Sequence, residues 1–149
     1  MAANFPRSNA DRYRKAVIEG ALVRQHFPKF STRLKGHRLI CRGRIQPTEF
    51  SPTYRVQICY EPWGVPEVTI MEPKLQNCHA IHMYSDGSLC LYDWREQSWQ
   101  NKWHLHETII PWTAEWLVFY ELFLLTGVWH GKSADPGAKP PIENDVTAL

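Results

Sequence analysis

The sequence predicts an α+β fold: an amino-terminal helix, a small antiparallel sheet, a long cysteine-bearing segment and a buried helix laid against the sheet. Three observations carry this. Apolar residues recur at helical intervals from Tyr13 to Phe27, alternate at period two between Leu39 and Ile70, and crowd the stretch from Thr113 to Thr126. With 149 residues and 44% hydrophobic content the chain supports one core and not two. The division that follows is one domain over residues 1–131 and a flexible tail over residues 132–149.

The first helix starts where Ser8 and Asp11 stand at capping-box spacing. Tyr13, Ala16, Val17, Gly20, Ala21 and Phe27 form its apolar stripe, and Pro28 stops it. After a basic connection through Lys35 and Gly36, Leu39, Cys41 and Ile45 alternate with Arg38, Arg42 and Arg44, the pattern of a half-buried strand. Tyr54, Val56, Ile58 and Tyr60 repeat it, with Pro47 and Pro52 punctuating the connection. Glu61 to Gly64 reads as a turn before a third strand marked by Val68 and Ile70.

From Pro73 to Trp112 no period is sustained, and long irregular segments in compact domains are often functional. Thr113 to Thr126 then reads as a helix closed by Gly127 at its C-cap. Trp116, Leu117, Phe119, Tyr120, Phe123 and Leu124 cover most of its surface, so burial on most sides is expected. At roughly 1.5 Å per residue it spans about 21 Å, short of the roughly 30 Å of a bilayer core, and it carries Glu115 and Glu121. A membrane span is not expected. Gly131 to Leu149, rich in Pro, Gly, Ala and charge, reads as a tail without fixed structure.

The formal charge of +2 and the absence of a long Arg/Lys run argue against a nucleic-acid partner. Met1 to Arg14 shows no apolar stretch before a small-residue cleavage site, so a cytoplasmic location is expected. Four cysteines, Cys41, Cys59, Cys78 and Cys90, form no disulfide framework; thiols, metal ligands or a nucleophile are the choices.

The segment from Cys78 to Trp94, CHAIHMYSDGSLCLYDW, gathers two cysteines, two histidines and a Gly-containing turn. A cysteine nucleophile must be accessible and partly ionised, and needs donors near the oxyanion that forms on attack. His82, the turn from Ser85 to Ser88 and local backbone N–H groups are placed to supply them. The same segment offers Cys78, His79, His82 and Cys90 as a zinc set, although no CxxC pairing occurs. Cys41 and Cys59 both read as core residues, Cys41 on the apolar side of its strand pattern and Cys59 on the opposite face. His104 and His106 alternate beside Trp103 and Leu105, which suits solvated or hydrogen-bonded histidines. Trp94, Trp99, Trp103 and Trp112 read as packing against the carboxy-terminal helix, with a partner-binding surface as the alternative. The Arg38, Arg42 and Arg44 face reads as solvated, with docking of an acidic partner as the alternative.

Tyr84, Gly87, Cys90 and Leu91 stand at the spacing seen around the active cysteine of ubiquitin-conjugating enzymes, which the chain resembles from Ser8 to Gly131. More closely, GSLCLYDW together with PWTAEWLVFYELFLLTGVWHG resembles the bacterial branch found in CBASS anti-phage operons beside cGAS/DncV-like nucleotidyltransferases. The resemblance implies a ubiquitin-conjugating-enzyme-like fold and acyl transfer. Cys90 would accept the C-terminus of the nucleotidyltransferase, or of a ubiquitin-like protein, as a thioester and pass it to a target amine. No cofactor is implied on this chain, and ATP would be consumed by a separate activating enzyme. Two departures stand out. His82 occupies the place of an Asn eight residues before the cysteine, which makes it the candidate oxyanion donor or orienting residue. The chain also has fewer carboxy-terminal helices than the eukaryotic enzymes, leaving its apolar helix short of cover. The rival readings are a non-catalytic adaptor that binds the nucleotidyltransferase and a small zinc-binding domain.

Overall fold

A computed structural model describes residues 8–76, 82–93 and 98–131. Helix α1, Asn9–His26, opens as its sequence requires: the Ser8 hydroxyl accepts from the Asp11 N–H at 3.1 Å, relieving one of the unpaired donors of the first turn. It closes at Phe27, whose N–H reaches the Val23 carbonyl at 2.7 Å just before Pro28. Ala16, Glu19, Gly20 and Val23 face inward.

Four strands follow, where the alternation showed three. Ser31–Lys35 (β1), Arg38–Ile45 (β2), Tyr54–Tyr60 (β3) and Glu67–Glu72 (β4) form one antiparallel sheet in chain order. The unforeseen strand, β1, has Leu34 as its only large apolar residue, so its state is set by pairing with β2 and not by its own pattern. Gly36, at φ 63°, takes the left-handed position of the two-residue turn between them. Leu39, Cys41, Tyr54, Val56, Ile58, Tyr60 and Val68 point to one face, where both helices cover them. Gly43 lies on that face too. A Cβ there would come within 2.2 Å of the Phe30 ring, so the ring's seat excludes any larger residue.

Helix α2, Ile109–Thr126, begins four residues before the predicted start, because Pro111 reads as a breaker in sequence yet sits in the first turn, where its missing N–H has no helical partner to lose. Its 18 residues make it about 27 Å long at roughly 1.5 Å per residue, and by length and composition it would suffice to cross a bilayer. Here it roofs the core instead: Ile109, Ile110, Thr113, Trp116, Leu117 and Tyr120 are buried. Glu121 accepts from Ser51 Oγ (2.8 Å) and Tyr54 OH (3.2 Å), tying the β2–β3 connection to the helix. Burial on most sides, the sequence expectation, is not met. Leu122, Leu124 and Leu125 are exposed among the described residues. The tail from residue 132 lies outside the described residues.

Candidate active site

Within the cysteine-bearing segment, residues 82–90 form a hairpin that the sequence does not show. Met83 pairs with Leu89 in an antiparallel bridge, and Leu89 N–H donates to the Val68 carbonyl at 2.9 Å, hanging a short hairpin on the edge of β4. Tyr84 N–H bonds the Ser88 carbonyl and Gly87 N–H bonds the Tyr84 carbonyl, both at 2.9 Å. Gly87 sits at φ 88°, which a three-residue hairpin loop asks of its last member and which residues with a side chain rarely adopt. Asp86 accepts from the Ser88 N–H (3.0 Å) and hydroxyl (2.7 Å). The Tyr84, Gly87, Cys90 spacing is thus the span of one hairpin arm, its turn and the start of the returning arm.

The register sets His82 opposite Cys90. Cys90 N–H donates to the His82 carbonyl at 2.9 Å, and the indole N–H of Trp116 on α2 donates to the same oxygen at 3.1 Å. The His82 ring rests against Trp129 (centroids 5.0 Å), which packs on Trp116 (5.4 Å) and Phe119 (6.0 Å). The two predicted site residues are therefore brought together and held from behind by α2 and the turn after it. Sequence reasoning gave Trp116 only a core role and Trp129 none; the GVWHG run after the helix was the available signal.

Cys90 is 6% exposed, against an expectation of partial exposure. Its thiol points at the Tyr92 carbonyl (3.5 Å, a sulfur contact). The Tyr92 phenol is pushed up to about 12, first by burial and then by repulsion from Cys90, and its hydroxyl has no hydrogen-bond partner among the described residues. Its ring leans on Trp112 (5.7 Å), which continues through Trp103 (5.7 Å) to Trp99 (5.4 Å). Trp103 thus packs on Trp112 in the first turn of α2, and Trp99 joins it to Tyr60 of the sheet (6.4 Å); Trp94 lies outside the described residues.

Cys41 is fully buried and its thiol is pushed up to about 12 by burial, which makes it inert. Cys59 is half-exposed on the other sheet face, with the Gln57 amide near its sulfur (3.5 Å), so it is not a core residue. Cys78 and His79 of the zinc alternative lie outside the described residues. Among the described residues no three His, Cys, Asp or Glu side chains gather as a metal would need. His104 and His106 serve elsewhere: His104 Nδ1 meets the buried Glu19 carboxylate at 2.9 Å, and His106 stacks on His26 (4.1 Å, 9° between planes).

Comparison with curated proteins finds no match. The family model of the Type II CBASS E2 protein matches residues 19–136, which takes in the last turns of α1, the whole sheet, the cysteine hairpin and α2. The chain belongs to the Type II CBASS E2 protein family, with an E2-like role in anti-phage defence.

Proposed function

We propose that Cys90 is the acyl carrier of a protein-conjugating reaction. The thiolate attacks the activated C-terminal carbonyl of a cGAS/DncV-like nucleotidyltransferase, or of a ubiquitin-like protein, expelling the activating group and forming a thioester. A target amine then attacks that carbonyl, the C–S bond breaks, the thiolate leaves and the amine's proton passes to solvent or a local base. Because a thioester does not form spontaneously from a free carboxylate, a separate activating enzyme supplies the activated acyl group.

The observation that supports this reading above others is the hairpin that sets Cys90 opposite His82 at one edge of the sheet, backed by α2. The enclosure of the thiol favours the rival, an adaptor that binds the nucleotidyltransferase with an incidental cysteine. Co-expression with the nucleotidyltransferase followed by intact-mass analysis separates them. Cys90→Ala is expected to abolish the conjugate, and Cys90→Ser to accumulate an oxyester one water lighter than the two chains together, since alkoxide is the poorer leaving group. Unchanged conjugate with Cys90→Ala would remove Cys90 from the chemistry and leave the adaptor.

A further inference from the structure

The chain after α2 turns back toward the cysteine hairpin. Gly127 reverses it at φ 73°, and Thr126 Oγ1 steadies the turn, accepting from the Val128 N–H at 3.2 Å and standing 3.3 Å from His130 Nε2. Every residue from Leu124 to His130 is exposed except Trp129, so this strap has one anchor. The anchor's ring rests on Trp116 (5.4 Å) and Phe119 (6.0 Å) of α2 and on His82 (5.0 Å), the cross-strand neighbour of Cys90.

Opposing forces act on that ring. Three aromatic contacts favour the seated position. Against them, the indole Nε1 is buried with no hydrogen-bond partner among the described residues, whereas the Trp116 indole has the His82 carbonyl at 3.1 Å. A buried tryptophan ordinarily finds an acceptor, and water supplies one as soon as the ring lifts. Gly131 adds a second tension: it closes over the ring so tightly that a Cβ would stand 2.8 Å from Nε1 and 3.1 Å from Phe119 Cδ2. The strap thus shuts only because residue 131 has no side chain. A seat with one anchor, a missing hydrogen bond and exposed flanks belongs to the readily opened end of local stability. Cys90, at 6% exposure, needs such an opening, because a thiol reacts only where its partner can reach it.

We propose that the segment 127–131 is a latch on the Cys90 site, closed while Trp129 sits on His82 and open when that ring leaves. Opening strips His82 of its backing and uncovers the hairpin face that carries the thiol. Its purpose rests on the reading of Cys90 as acyl carrier: the donor's C-terminal chain must lie against the hairpin to reach the sulfur, and it takes the place that Trp129 leaves. The opening itself involves no conjugate and is measured without one.

The test is pulsed alkylation of the full chain with iodoacetamide, read by peptide mass mapping. Three described cysteines report separately: half-exposed Cys59 calibrates the reagent, fully buried Cys41 registers global unfolding, and Cys90 registers the latch. Trp129→Ala removes the anchor, whereas Gly131→Ala keeps it and adds the Cβ that the closed strap cannot hold. Both should raise the Cys90 rate relative to Cys59 roughly tenfold or more, since labelling tracks the open population, with Cys41 still unlabelled. A Cys90 rate at the parent's level in either variant would overturn the latch. So would Cys41 labelling that rises in step with Cys90 in both, which would make the strap a part of the core. Co-expression of the parent with the nucleotidyltransferase tests the carrier reading separately: absence of conjugate there counts against the carrier and leaves the labelling result standing.

Discussion

His82 contributes to the site in two separable ways. Its backbone carbonyl receives Cys90 N–H and the Trp116 indole, and any side chain leaves that anchor in place. Its ring lies on the face of the hairpin shared with Cys90, against Trp129. Replacing the ring therefore tests chemistry with the anchor intact. If the ring donates to the developing oxyanion or orients the acyl group, His82→Asn, which keeps a side-chain N–H, should retain much of the transfer rate. His82→Ala should then lose roughly 10²-fold, the scale of one oxyanion contact. Single-turnover transfer from a preformed thioester reads this directly. Near-parental transfer by His82→Ala would leave the ring as packing for Trp129, and loss in both variants together with a flattened rise of rate with pH would make it a base.

Between elements, the brace from α1 to the segment before α2 carries a pH dependence. Glu19, 1% exposed, accepts from His104 Nδ1 (2.9 Å) and from the Leu105 N–H (3.1 Å). Alongside, His106 is held below the ordinary histidine value, first by burial and then by His26, with His104 adding to the depression and Glu107 and Glu19 opposing it. Folded His106 thus takes its proton at lower pH than the unfolded chain does, so the unfolded state binds more protons as pH falls through about 6.5, and stability drops there. The melting temperature should fall between pH 7.5 and 5.5, while His106→Phe, which keeps a ring against His26 and removes the proton, should show a smaller fall. Equal falls in parent and variant would assign the dependence to other groups. The elements also differ in how far their sequence betrays them. Strands β2 to β4 are legible because burial follows their own period; α1 is legible from its cap and Pro28, but its predicted stripe is only partly buried, with Tyr13, Val17 and Ala21 exposed and Glu19 and Val23 turned inward. Strand β1 is not, because STRLK becomes a strand through partners in β2. The start of α2 is hidden by Pro111, and the cysteine hairpin is hidden because one bridge, Met83 to Leu89, is too short to leave a pattern.

Across the described residues, one sheet separates two environments: a helix-covered side holding the core and a side that no described helix covers, holding most of the strand charge. Residue types and spacing made Cys90 and His82 visible as a pair. The supports of the site were not visible, because Trp116 lies 34 residues from His82 and reaches it only through the fold. The enclosure of Cys90 has a further consequence in the redox life of a cell. Thiols are lost to peroxide and to glutathione in proportion to their exposure and ionisation. At 6% exposure, and turned toward the Tyr92 carbonyl, Cys90 is shielded from both, whereas half-exposed Cys59 is not. Among the described cysteines, mild peroxide followed by peptide mass mapping should therefore mark Cys59 before Cys90, and equal marking would show that the resting thiol is open. On the proposed reading of Cys90 as acyl carrier, this enclosure would keep the thiol reduced until the site opens.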